Sequence, residues 1–126
     1  MIARRSAQLL ALASVAIAAA CSQSPEGPKW ADVGGDPKQG AFLVGRFSCG
    51  ACHVMPGVEG ATGLVGPPLG TFRRRTMIAG VLPNTPANLV LWLRHPQTVT
   101  PGNAMPDVGL SDAQARDIAA YLYAHS

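Results

Sequence analysis

The sequence predicts an all-α domain, and three observations carry that prediction. Three segments combine a helix-start signal with apolar residues at helical spacing. No stretch alternates apolar and polar residues like a strand for more than a few positions. Fourteen glycines and eleven prolines keep the helices short and the loops long. A chain of 126 residues holds one domain with a tail and excludes a multidomain enzyme. Three Phe, two Trp and two Tyr supply little aromatic area, so the core is thin for its size and something else is expected to fill it.

Residues 1–20 do not belong to that domain. Arg4 and Arg5 precede an apolar run, Leu9 to Ala20, that contains nothing more polar than Ser14. As a helix this run reaches about 18 Å, short of the roughly 30 Å of a bilayer core. With the closing Ala18-Ala19-Ala20 it reads as an export signal peptide. Cys21 follows directly, as in the lipobox of bacterial lipoproteins, although Ala18 stands where that pattern usually has Leu. Lipidation of Cys21 is the expected outcome, and ordinary cleavage after Ala20 is the alternative. Without the signal, eight basic residues face seven acidic ones, a net charge of +1 in place of +3. Only Arg73-Arg74-Arg75 clusters, which is too little basic surface for a nucleic-acid partner. Residues 21–35 read as the lipid-anchor cysteine and a flexible Ser/Pro/Gly tether, and residues 36–126 as the folded domain.

The first helix starts at Asp36-Pro37, an N-cap followed by proline at the first helical position. Gly40, Leu43, Val44 and Phe47 then form one apolar face. The second starts at Thr85-Pro86 by the same logic, carries Leu89, Trp92 and Leu93, and stops at His95-Pro96. The third opens on the capping box Ser111–Gln114 and buries Ala115, Ile118, Ala119 and Leu122.

The chemistry lies after the first helix, in Cys49-Gly50-Ala51-Cys52-His53. A redox dithiol of this spacing needs a βαβ setting, which the sequence lacks. A zinc site needs a second close pair of ligands, and His95 and His125 are far apart in sequence. Attachment of one haem c uses every position: Cys49 and Cys52 add their thiols to the two vinyl groups, and His53 becomes an axial ligand of the iron. Covalent attachment suits an exported protein, and a haem would complete the thin core. The protein without haem is therefore expected to be largely disordered.

Candidates for the second axial ligand are Met55, Met77, Met105, His95 and His125. Met55 follows His53 too closely to reach the other haem face, and His125 sits at the chain terminus. Met77 and His95 stay open. Met105 is favoured because it lies off any helix in a loop, Thr100 to Pro106, stiffened by prolines on both sides.

With these motifs in this order, residues 36–124 resemble a class I, mitochondrial-type bacterial cytochrome c. The resemblance implies that family's fold: three main helices and long Pro/Gly loops wrapped around one covalently bound haem. Gly66-Pro67-Pro68-Leu69 resembles the family's Gly-Pro-x-Leu, which makes the Pro67 carbonyl the acceptor for the His53 Nδ1–H and Leu69 a pocket residue. Trp92 and Leu93 carry over as pocket residues, and Asn103 falls where the family bonds a haem propionate. Ile118 to Leu122 match the terminal helix whose aromatic packs on the first helix. The first helix departs from the pattern: the family's glycine and aromatic positions hold Ala41 and Gly45, while Gly40 and Phe47 lie nearby.

The implied function is one-electron transfer through iron held by His53 and Met105. The expected protein is a periplasmic carrier, tethered to a membrane through Cys21, exchanging electrons with redox proteins such as a dehydrogenase or a terminal oxidase. Scattered acidic residues offer no acid–base machinery, so the chain is not expected to be an enzyme. Two alternatives are a fixed haem subunit of a larger respiratory complex and a ligand-binding haem protein in which Met105 is labile. Arg73–Arg75 are either propionate or docking residues or a solvated loop.

Overall fold

The computed structural model describes residues 30–55 and 57–125, so the export signal and Cys21 lie outside the described residues. Four α-helices carry the architecture: α1 (Pro37–Arg46), α2 (Pro86–Arg94), the single turn α3 (Pro96–Val99) and α4 (Asp112–Ala124). Each of the three longer ones starts where its cap places it. Asp36 Oδ1 accepts the backbone N–H of Lys38 at 2.8 Å, and Thr85 Oγ1 accepts that of Asn88 at 3.3 Å. The Ser111–Gln114 box is closed in both directions, at 3.2 and 2.9 Å.

The centre of the fold is the crossing of α1 over α4, where Leu43 and Val44 meet Ala115, Ile118, Ala119 and Leu122 in one buried cluster. Residue 40 makes this crossing possible. A Cβ on Gly40 would lie 2.0 Å from the Asp117 carbonyl oxygen and 2.7 Å from Tyr121 Cβ. The close-approach glycine of α1 is therefore Gly40, and Tyr121 is the aromatic of α4 that packs against it. Neither Ala41 nor Gly45 serves, since both point to the exposed side of the helix.

Two sequence expectations need correction. The tether does not extend to residue 35: Trp30–Val33 form a 3₁₀ turn, with Val33 only 2% exposed in the core. Arg116 Nη1 donates to the Val33 carbonyl at 3.1 Å, and the Asp36 N–H donates to Asp117 Oδ1 at 2.8 Å, so α4 holds this segment down. Polar composition hid a contact made with residues some eighty positions away. The fold also contains a small antiparallel hairpin, β1 (Met77–Ile78) paired with β2 (Leu82–Pro83), with Ile78 opposite Leu82. Strands of two residues are too short for alternation to register. The turn between them is entered through left-handed Ala79 and Gly80, at φ of 51° and 75°.

Tyr123, fully buried, ties α4 to the loop that carries the hairpin. Its hydroxyl donates to Asn84 Oδ1 at 2.8 Å, and Asn84 Nδ2 donates to the carbonyls of Phe72 and Arg75 at 3.1 and 2.9 Å. The Phe72 and Tyr123 rings lie 5.8 Å apart.

Gly40→Ala should destabilise the protein by about 2–4 kcal/mol in denaturant titration, because the clash is with backbone that can yield only by separating the helices. Burial pushes the Tyr123 phenol above its ordinary range. The fold thus favours the neutral phenol, and its contribution is whole below about pH 10 and declines as pH rises further. Tyr123→Phe should lower stability by about 1 kcal/mol at neutral pH and flatten the alkaline loss seen in the parent protein, both read from unfolding curves.

Candidate functional site

The turn that ends α1 delivers the sequence motif. Ser48 takes a left-handed conformation, and Cys49–Ala51 form a 3₁₀ turn from which Cys52 and His53 follow. The His53 N–H bonds back to the Cys49 carbonyl at 3.0 Å, fixing the register of the motif. Both thiols are free. Burial pushes the Cys49 thiol up, its backbone hydrogen bond opposing and Cys52 adding to the rise. Among the described residues no three His, Cys, Asp or Glu side chains gather as a metal cluster, so the zinc arrangement finds no ligand set there.

His53 is held by the segment that follows it. Its Nδ1 lies 2.7 Å from the Pro67 carbonyl oxygen, which can only accept, so Nδ1 carries the proton and Nε2 keeps its lone pair. The Gly66 N–H donates to the Cys52 carbonyl at 2.7 Å, clamping the two segments together. A Cβ on Gly66 would sit 2.2 Å from His53 Cε1, so the imidazole lies flat against a backbone that only glycine can supply.

His53 and Pro67 open onto a cavity of about 250 Å³ with mainly apolar walls. Leu69, Trp92, Leu93, Asn103 and Met105, all expected at the site, lie on the same walls. Cys49 and Cys52 stand on the turn beside it, half-buried, with Cys49 packed against the core. The other ligand candidates lie elsewhere. Met55 is buried in the core, Met77 is 40% exposed on β1, and His95 is the exposed cap of α2. His125 is exposed and stacks on Tyr121 at 4.6 Å.

Asn103 reaches the wall with its amide already engaged. Nδ2 donates to the Pro96 and Thr100 carbonyls, and Oδ1 accepts the Met105 N–H. The three arginines divide: Arg73 and Arg74 are exposed, whereas Arg75 is half-buried on the cavity wall. Arg75 Nη2 donates to the Pro68 carbonyl, and its guanidinium lies 5.9 Å from the centre of the Phe72 ring.

Phe72, Ile78, Leu89 and Leu122 are among the wall residues beyond the expected set. Leu89 and Leu122 carry a signal, the apolar stripe of their helices, which does not separate a core position from a cavity position. Phe72 and Ile78 reach the cavity through a loop and a hairpin that local pattern does not reveal.

The donor set suits an iron porphyrin. An imidazole lone pair and a thioether meet one apolar cavity, with two free thiols adjacent to the imidazole.

Residues 37–126 match the family described as Cytochrome c. The chain is also similar to cytochrome c oxidase subunit 2 of Alkalihalophilus pseudofirmus, 38% identical over 87 residues, which cover 67% of this chain and 24% of the relative. The same-named subunit of Bacillus subtilis is 36% identical over 89 residues, covering 68% of this chain and 25% of the relative. That of Bacillus sp. is 37% identical over 70 residues, 54% of this chain and 19% of the relative. The chain thus spans about a quarter of the length of the curated relatives it matches.

Proposed function

The chain belongs to the cytochrome c family, and from that premise we propose that it is a one-electron carrier with a single haem c, bound through Cys49 and Cys52 and ligated by His53 and Met105. The observation that carries this reading is the shared cavity: of the five candidate partners for His53, Met105 is the one on its wall. When bound, the haem supplies an iron that cycles between the ferric and ferrous states. Pro67 orients the imidazole and raises its donor strength through the Nδ1 hydrogen bond. Met105 supplies a soft sulfur that favours Fe(II) and raises the potential relative to a second histidine. Leu69, Trp92 and Leu93 exclude water from the cofactor's apolar face. Leu64 and Val65, 85% and 68% exposed, lie where the chain approaches the cavity and form the apolar rim for brief encounters with redox partners.

The similarity to oxidase subunits supports a terminal oxidase as the electron acceptor. It equally favours a second reading, in which the chain is a fixed haem subunit of such a complex. In both, the chain carries electrons and the oxidase performs the catalysis. Periplasmic location and a lipid on Cys21, read from residues outside the described ones, complete the proposal: the anchor raises local concentration at membrane partners. Extraction in mild detergent separates the two readings, since a carrier migrates alone and a subunit co-purifies with the oxidase.

Met105→Leu should abolish the sulfur-to-iron band of the ferric protein, admit carbon monoxide to the ferrous one, and lower the midpoint potential by at least about 60 mV, a tenfold change for one electron. Met77→Leu should leave all three unchanged. The reverse pattern, or carbon monoxide binding to the parent protein at neutral pH, contradicts the ligand assignment. Cys21→Ser should move the protein from the membrane to the soluble fraction of a cell extract, and retention on the membrane contradicts the anchor.

A further inference from the structure

The loop that presents Met105 has no regular secondary structure, yet both backbone polar groups of Met105 are held by side-chain amides. Its N–H donates to Asn103 Oδ1 at 2.7 Å, and its carbonyl accepts from Gln97 Nε2 at 2.7 Å. Gln97 Nε2 also donates to the Asn103 carbonyl at 2.9 Å, while Gln97 Oε1 accepts the Gly102 N–H at 3.1 Å. Asn103 Nδ2 closes the set on the Thr100 and Pro96 carbonyls, at 2.7 and 2.9 Å. Each amide thus uses both of its N–H groups and its oxygen on backbone between residues 96 and 105.

We propose that Gln97, on the single-turn helix α3, is a positioning residue for the axial methionine and sets how readily the sixth coordination site opens. Gln97 is not on the cavity wall. It acts through the loop: moving the backbone of residue 105 away from the cavity breaks the amide hydrogen bonds that hold it. The inference rests on Met105 being the ligand. An external ligand binds only the methionine-off form, so its apparent affinity scales with the population of that form. Loss of the Gln97 amide, with two carbonyls and one N–H released, should raise that population on the order of tenfold or more.

The test is imidazole binding to the ferric, haem-loaded, full-length protein, read with the sulfur-to-iron band and with the limiting binding rate at saturating imidazole. Gln97→Ala should bind imidazole at least about tenfold more tightly and open faster. Gln97→Glu keeps the shape and the acceptor for Gly102 but cannot donate to the 103 and 105 carbonyls, and it should do the same; it also serves if the alanine variant does not accumulate. Thr98→Ala, an exposed change on the same turn, should match the parent protein. Affinities within twofold of the parent in both Gln97 variants overturn the inference, as does an equal gain in Thr98→Ala, which would mean general loosening of the turn. A parent protein without the sulfur-to-iron band, or Met105→Leu binding imidazole no better than the parent, removes the ligand assignment itself and the inference with it.

Discussion

Two helices can approach as closely as α1 and α4 do only because residue 40 has no side chain, and the rest of the structure hangs on that crossing. The end of α1 becomes the turn that carries Cys49, Cys52 and His53. The far end of α4 supplies Leu122 to the cavity wall and Tyr123 to the amide of Asn84, which in turn holds the carbonyls of Phe72 and Arg75. A shift of one helix against the other would therefore move both the imidazole and the opposing wall segments. The crossing also fixes the start of the domain, since α4 anchors Val33 and Asp36 through Arg116 and Asp117.

Beyond the helices, side-chain amides fix two of the loops against the rest of the fold. Asn84 secures the segment between Phe72 and the hairpin, and Gln97 with Asn103 secures the segment that carries Met105. This division suits a site in which the cofactor occupies space that core side chains would otherwise fill. Apolar residues dominate the cavity walls, and the amide of Asn103, which reaches them, is fully paired within its own loop.

The helices were legible in the sequence because caps are local: Asp36, Thr85 and Ser111 each bond to an N–H two or three residues on. The candidate site was legible because the chemistry proposed for it fixes its spacing. A Cys-x-x-Cys-His run and a proline-flanked methionine mark two donors whatever lies between them, and the Gly66–Leu69 segment supplies the acceptor for His53. What could not be read depends on contacts across long separations. Val33 looked like tether until α4 covered it, Gly40 could not be ranked above Ala41 without its partner at Asp117, and the hairpin has strands too short to show a period. Gln97 gave no signal, because a glutamine on one turn of helix acquires its role only from the loop folded over it. The amide of Asn103 is spent on that same loop, with Met105 among its partners.

The central claim is that one haem is joined to this chain through both thiols of the motif. Mass analysis of the peptide released by cutting after Arg46 and Arg73 examines that claim directly, since it contains Cys49, Cys52 and His53. The account predicts a peptide heavier than its sequence by one haem, with neither thiol open to alkylation after reduction. A peptide of bare sequence mass, with two thiols that alkylate once a disulfide is reduced or zinc removed, would contradict it.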